Sequence, residues 1–222
     1  MVVCSTTGSA VPRVAAGLWI VAGVWYLLTE AVVARDFPDY SYSGNYISDL
    51  GRSTLSPLAA WMNVAFITQG LAFALASALV VATMRTGPGR FSFLGLALIY
   101  GAGSAVVGLF PSGGDDIPAF MHFVGAVAAI LSGNLAVIVA GGVLLSHRRF
   151  RAIGFTSLVL GVAGLLSGGL LLYSSVGDAP VFFGDGTWER VAVYSIIAWQ
   201  LFAGILLAGF ASWRRHPTQS QS

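Results

Sequence analysis

Asp49, His122 and Glu189 are the side chains of this sequence best suited to acid–base chemistry. A carboxylate within reach of an imidazole can take or give a proton in a reacting ligand, and histidine changes charge near neutral pH. Glu30, Asn45, Ser48 and Arg190 are of types that hold a polar ligand. Arg190 offers a planar fork suited to phosphate or carboxylate, and Ser48 becomes a nucleophile if His122 serves as its base. Each has a plainer reading beside it. His122 is of the kind that bonds one helix to another, and Glu189 sits where a helix begins, behind Thr187 as its N-cap. Asp115 and Asp116 stand before a helix start, where negative charge is favoured in any case. Glu30 differs, because it falls inside an apolar run, where a carboxylate is costly unless paired or hydrated. Arg190 is then a partner for Asp49 or for a ligand.

The elements that must position these residues are apolar runs. Of 222 residues 56% are hydrophobic and 9% charged, a balance that a water-soluble domain of this size cannot bury. The runs lie at about 14–33, 58–84, 91–110, 119–145, 152–173 and 188–213, each close to the roughly 20 residues that cross a bilayer as a helix. The fold class is all-α: a polytopic membrane bundle of six transmembrane helices over 14–213, between a short segment 1–13 and a tail 214–222. Backbone in lipid leaves few other solutions. Arg13 before the first run resembles a signal-peptide start, with Val32-Val33-Ala34 as a cleavage site. The length of the run and the place of Glu30 favour its retention as a helix. Ser56-Pro57 reads as the N-cap and first position of the second helix.

Between the first two runs lies Ser41–Leu55, SYSGNYISDLGRSTL, the longest polar interruption among them. It holds Asn45, Ser48, Asp49 and Arg52. If it forms a short helix, Tyr46 and Leu50, four apart, give it an apolar face.

The chain has no lysine, so arginine sets its orientation. With the N-terminus inside, Arg13, Arg85, Arg90, Arg148, Arg149, Arg151, Arg214 and Arg215 face the cytoplasm, and only Arg35, Arg52 and Arg190 face out. The positive-inside rule therefore predicts a multi-pass protein of the cell membrane with both termini cytoplasmic. All 9 acids then fall on the outer side, which gives that face a negative field. Gln69, Asn134 and Gln200 recur at nearly even spacing, which suggests three hairpin repeats. With Asn63 they are expected to bond between helices, and Gly95, Gly101, Gly103, Gly164 and Gly168 to pack them closely.

Neither H-E-x-x-H, G-x-S-x-G nor a lysine-bearing phosphate loop is present, and the inner arginines follow from topology rather than from nucleic acid. Only His122 among three histidines is expected outside, which argues against a histidine-rich zinc site. Asp49, Asp115 or Asp116, Glu189 and His122 still form a donor set for a hard divalent cation. The single cysteine, Cys4, permits no internal disulfide, and the sequence names no cofactor.

Asn45-Tyr-Ile-Ser-Asp-Leu-Gly51 after the first run resembles a family of six-helix prokaryotic membrane proteins catalogued as domain of unknown function 998. Trp61-Met-Asn63, Gly108-Leu-Phe-Pro111, His122 and Trp188-Glu-Arg190 share the resemblance. It implies a six-span fold and a pattern through Asn45, Ser48, Asp49, Pro111, His122, Glu189 and Arg190, and it implies no activity. The expected arrangement is an outward-facing polar pocket among the first, second, fourth and sixth helices. Its expected partner is a membrane lipid head group or a small polar ligand, with hydrolase or transferase chemistry as the furthest extension. A small-solute or cation-coupled transporter and a non-catalytic membrane scaffold are the alternatives.

Overall fold

Six segments apolar on every side leave a chain in lipid one way to satisfy its backbone, which is six long helices. A computed structural model describes residues 10–84, 87, 89–113, 115–177 and 182–213, without the side chains of 176–177 and 211–213. Cys4, Arg85, Asp178, Arg214, Arg215, His216, the tail 214–222 and most of segment 1–13 lie outside the described residues. The helices are α1 (Ala10–Asp36), α2 (Ala59–Thr83), α3 (Arg90–Leu109), α4 (Asp116–Leu145), α5 (Arg151–Gly177) and α6 (Asp185–Trp213). All six are long and apolar enough to cross a membrane.

Several ends differ from expectation. Helix α1 starts at Ala10 and α4 at Asp116, each taking a proline (Pro12, Pro118) into its first turn, where no intrahelical N–H is lost. Helix α2 starts at Ala59 with Leu58 as its cap, so Ser56 is not the cap; its hydroxyl is buried without a partner. Helix α6 starts at Asp185, which places Thr187 inside the first turn, its N–H directed to Gly184 and Ser43 carbonyls.

Each helix packs against its neighbours in sequence, and α6 returns to α1, so the bundle closes on itself. Helix α4 also touches α6, bridged by Asn134, whose Nδ2 donates to the Ala192 carbonyl at 3.0 Å. Helix α5 lies across that seam and is the least buried of the six. Small residues set the crossings: Gly70 meets Gly101 between α2 and α3, Gly103 meets Gly125 between α3 and α4, and Gly164 lies against Asn134. Gly95 meets nothing.

The core has two layers. Trp19, Phe73, Tyr100 and Trp199 form an aromatic layer, with Trp19 and Trp199 ring centroids 5.5 Å apart and Phe73 and Tyr100 4.7 Å. Beside it Gln69 donates to Gln200 at 2.5 Å, and Gln200 donates to the Trp19 carbonyl at 2.6 Å. Gln69 and Gln200 thus bond one another while Asn134 bonds elsewhere, so these amides do not repeat one role. The second layer, Tyr26, Met62, Phe66 and Ile197 with Ile47 and Leu50, lies beneath the α1–α2 loop.

Candidate functional site

The α1–α2 loop closes one end of the bundle as a lid. Its Ser48–Gly51 stretch winds into a 3-10 helix, in which residues three apart share a face, so Ile47 and Leu50 rather than Tyr46 and Leu50 are buried completely. Side chains from two other helices and the α3–α4 loop hold its backbone. Glu189 accepts the Ile47 N–H, Asn63 donates to the Gly51 carbonyl at 2.9 Å, and Ser112 beyond α3 donates to the Ser48 carbonyl at 3.2 Å. Asp49 reaches back to accept the Tyr46 N–H at 3.1 Å. A side chain at Gly51 would overlap the Asn63 amide, which explains the glycine at the end of S-D-L-G.

Glu30, Asn45 and Arg190 gather in a separate cluster. The Arg190 Nε lies 3.2 Å from Glu30 Oε1, and the other Glu30 oxygen accepts the Tyr194 hydroxyl at 2.8 Å. Arg190 Nη1 donates to the carbonyls of Tyr42 (2.6 Å), Asn45 (2.9 Å) and Gly186 (3.0 Å), and Nη2 donates to the Tyr40 hydroxyl. Arg190 therefore pairs with Glu30, not with Asp49, whose arginine is Arg52 at 3.5 Å. The Arg190 cluster ties the loop between α1 and α2 to the start of α6, and its guanidinium is engaged within the protein.

Asp49, Ser48, His122 and Glu189 come together at another place. They line one end of a cavity of about 510 Å³, with Tyr46, Arg52 and Ser112. From this polar end the cavity runs between α4 and α5, along Ala126, Ile130, Leu165, Gly168 and Leu171. Phe123, Val127, Leu131 and Leu172, also in its wall, are exposed on the surface of the bundle. A polar head and an apolar trough open at the side are thus one space. Behind it a chamber of about 50 Å³ shares Ser48, His122, Ala126, Ile130 and Glu189 with the cavity and adds Tyr26, Tyr100 and Ser104.

The His122 ring stands in the wall between the two. Its Nδ1 lies 2.8 Å from the Phe110 carbonyl and so carries the proton. In the neutral ring Nε2 is then an acceptor. The Tyr46 hydroxyl, at the cavity mouth, donates to Asp185 Oδ2 at 2.6 Å, and Ser174 donates to Oδ1 at 2.6 Å. Burial, and next the bond to Asp185, push the Tyr46 hydroxyl above the usual tyrosine range. Among the described residues no three of His, Cys, Asp and Glu converge as metal ligands, and Asp115 and Asp116 do not line the cavity, so the expected divalent donor set does not assemble.

The model of the family described as "Protein of unknown function (DUF998)" matches residues 20–210. The chain belongs to that family. No curated protein and no solved structure matches it. The family match spans every residue of the lid, the cavity and the Arg190 cluster.

Sequence reasoning placed Arg52 and Tyr46 in the lid without giving either a site, read Gly164 and Gly168 of α5 as packing alone, and left out Ser112. The signal for α5 was the pair Gly168-Gly169: a side chain on Gly169 would meet no atom within 4 Å, so this glycine packs nothing and leaves the trough open.

Proposed function

We propose that this DUF998 protein binds a membrane lipid, with the head group at Asp49, Arg52 and His122 and an acyl chain between α4 and α5. One observation carries the reading: polar lid residues and an apolar trough line a single cavity whose side opens where lipid would lie. Pockets of about 300–1,000 Å³ suit small ligands, and the cavity falls in that range. The arginine distribution supports a cell-membrane protein with cytoplasmic termini and the lid outside, so the head group comes from the outer leaflet. Native mass spectrometry of gently purified protein checks this directly. A retained lipid is the expected result, and a protein free of lipid that also takes none up on titration would overturn it.

A second reading, hydrolase or transferase chemistry on that lipid, is favoured by His122 in the cavity wall, whose Nε2 is an acceptor when Nδ1 carries the proton. His122→Gln should then still retain lipid, though more weakly, and fail to release a product that the wild type releases. Transport draws less support, since it asks polar residues at mid-depth to line a path. Gln69, Asn134 and Gln200 are 0–1% exposed, bonded between helices, and line none of the cavities described here.

A further inference from the structure

Arg52 is held in place without being satisfied. Its Nε is buried and has no hydrogen-bond partner. Guanidinium carries five N–H donors. Among the described residues Arg52 uses one, from Nη1 to Asp49 Oδ1 at 3.5 Å, well beyond the roughly 2.7–2.9 Å of a charge-assisted bond. The group is nevertheless fixed. It lies against Gly113, whose left-handed backbone (φ 80°) turns the chain between α3 and α4, and any side chain there would overlap the guanidinium. Arg190, by contrast, donates to four oxygens besides facing Glu30. Among the described residues Arg52 is also the only arginine that lines the cavity, at its polar end.

We propose that Arg52 is the receptor for an oxyanion, the phosphate of the lipid head group, which it grips through its free fork. The inference rests on the lipid reading and narrows it to phospholipids. A planar fork with unused parallel donors matches phosphate oxygens in both geometry and charge. Two acids share the cavity end, and Asp49 competes with the phosphate only through Oδ1, 3.5 Å from Arg52 Nη1. Asp49 Oδ2 and Glu189 Oε2 each accept a lid backbone N–H, from Tyr46 and Ile47, which draws their charge toward the lid. The phosphate then meets Arg52 from the cavity side, with its chains leading down the trough.

The test titrates delipidated protein with a phosphatidylglycerol, with a diacylglycerol of the same chains, and with inorganic phosphate, read by native mass spectrometry. Wild type should prefer the phospholipid by at least about tenfold over the diacylglycerol. Arg52→Gln should bind both alike, and Arg52→Lys, which keeps the charge without the fork, should fall between them. Equal binding of the two lipids by wild type, or an undiminished preference in Arg52→Gln, overturns the inference and leaves the lipid reading standing. Phosphate bound through Arg52 with no lipid bound keeps the oxyanion site and overturns the lipid. Binding of neither overturns both.

Discussion

Filling the trough between α4 and α5 from Gly169 separates occupancy of the cavity from stability of the fold. Gly169 lines the cavity, and a Cβ built on it meets no heavy atom within 4 Å. Gly169→Leu therefore starts its side chain in open space at the wall of the trough. Glycine is about 0.8–1.0 kcal/mol worse than alanine inside a helix, so the substitution does not weaken α5 itself. A lipid chain sharing that space gives up about three methylenes of burial. At about 0.8 kcal/mol each the loss is roughly 2.4 kcal/mol, or about fifty-fold in affinity. The assay is lipid titration by native mass spectrometry, with thermal unfolding in the same detergent. Gly142→Leu is the control, since Gly142 also meets nothing within 4 Å and lies outside the cavity. Unfolding temperatures of both variants should match or exceed wild type, and only Gly169→Leu should lose the lipid. Lipid bound by Gly169→Leu as tightly as by wild type would refute the placement of the chain.

Gly51→Ala should unseat the lid at a cost of about 1–3 kcal/mol, because its methyl overlaps the Asn63 amide that bonds the Gly51 carbonyl; faster proteolysis within 41–52 would report it. Glu30→Ala leaves Arg190 buried and without its carboxylate, and should destabilise by about 3–5 kcal/mol in chemical unfolding. Gln200→Leu takes the Gln200 partner from the Gln69 amide, leaving it the longer bond to Tyr100, and should cost about 1–3 kcal/mol, while Gln69→Leu with Gln200→Leu should recover most of it; a double variant worse than the single would contradict the pairing. Tyr40 and Tyr46 are held above the usual tyrosine value of 10.0 in the fold, chiefly by burial. Their contribution is therefore intact below about pH 10 and falls as pH rises past it, because the unfolded chain ionises first. Tyr46→Phe should flatten that alkaline decline, and an unchanged slope would count against it.

How much of this was legible depends on whether a residue's role is local. Helix number and span followed from apolar runs, because lipid demands continuous helices wherever the runs occur. Starts slipped by a few residues at Asp116 and Asp185, because Pro118 and Thr187 read equally well as helix boundaries and first-turn residues. The lid was visible as a polar interruption, and Asp49, Ser48, His122 and Glu189 do share one cavity end. Which arginine serves the cavity was not visible. Arg190 carries the more suggestive context, Trp-Glu-Arg at a helix start, yet its Nη donors go to Tyr40 and loop carbonyls and its Nε faces Glu30, groups that only the closed bundle brings near.

The contrast between the two arginines is where sequence and function part. Both are of one type, both stand at the lid end, and both have a carboxylate nearby. One meets its acceptors because α1 and α6 pack side by side and carry Glu30 and the 42–45 carbonyls to it. The other lines the polar end of a trough between α4 and α5 that no described side chain fills. The partnerless Nε of Arg52 is costly to keep buried unless something else supplies an oxygen. An arginine whose only purpose was to brace the lid would gain from a closer carboxylate than one 3.5 Å away. Replacing Asp49 by asparagine puts that to the test. A bracing Arg52 would lose its anchor, and the lid would loosen to proteolysis within 41–52. A receiving Arg52 would lose a competitor, and phospholipid would bind more tightly while the lid stays closed.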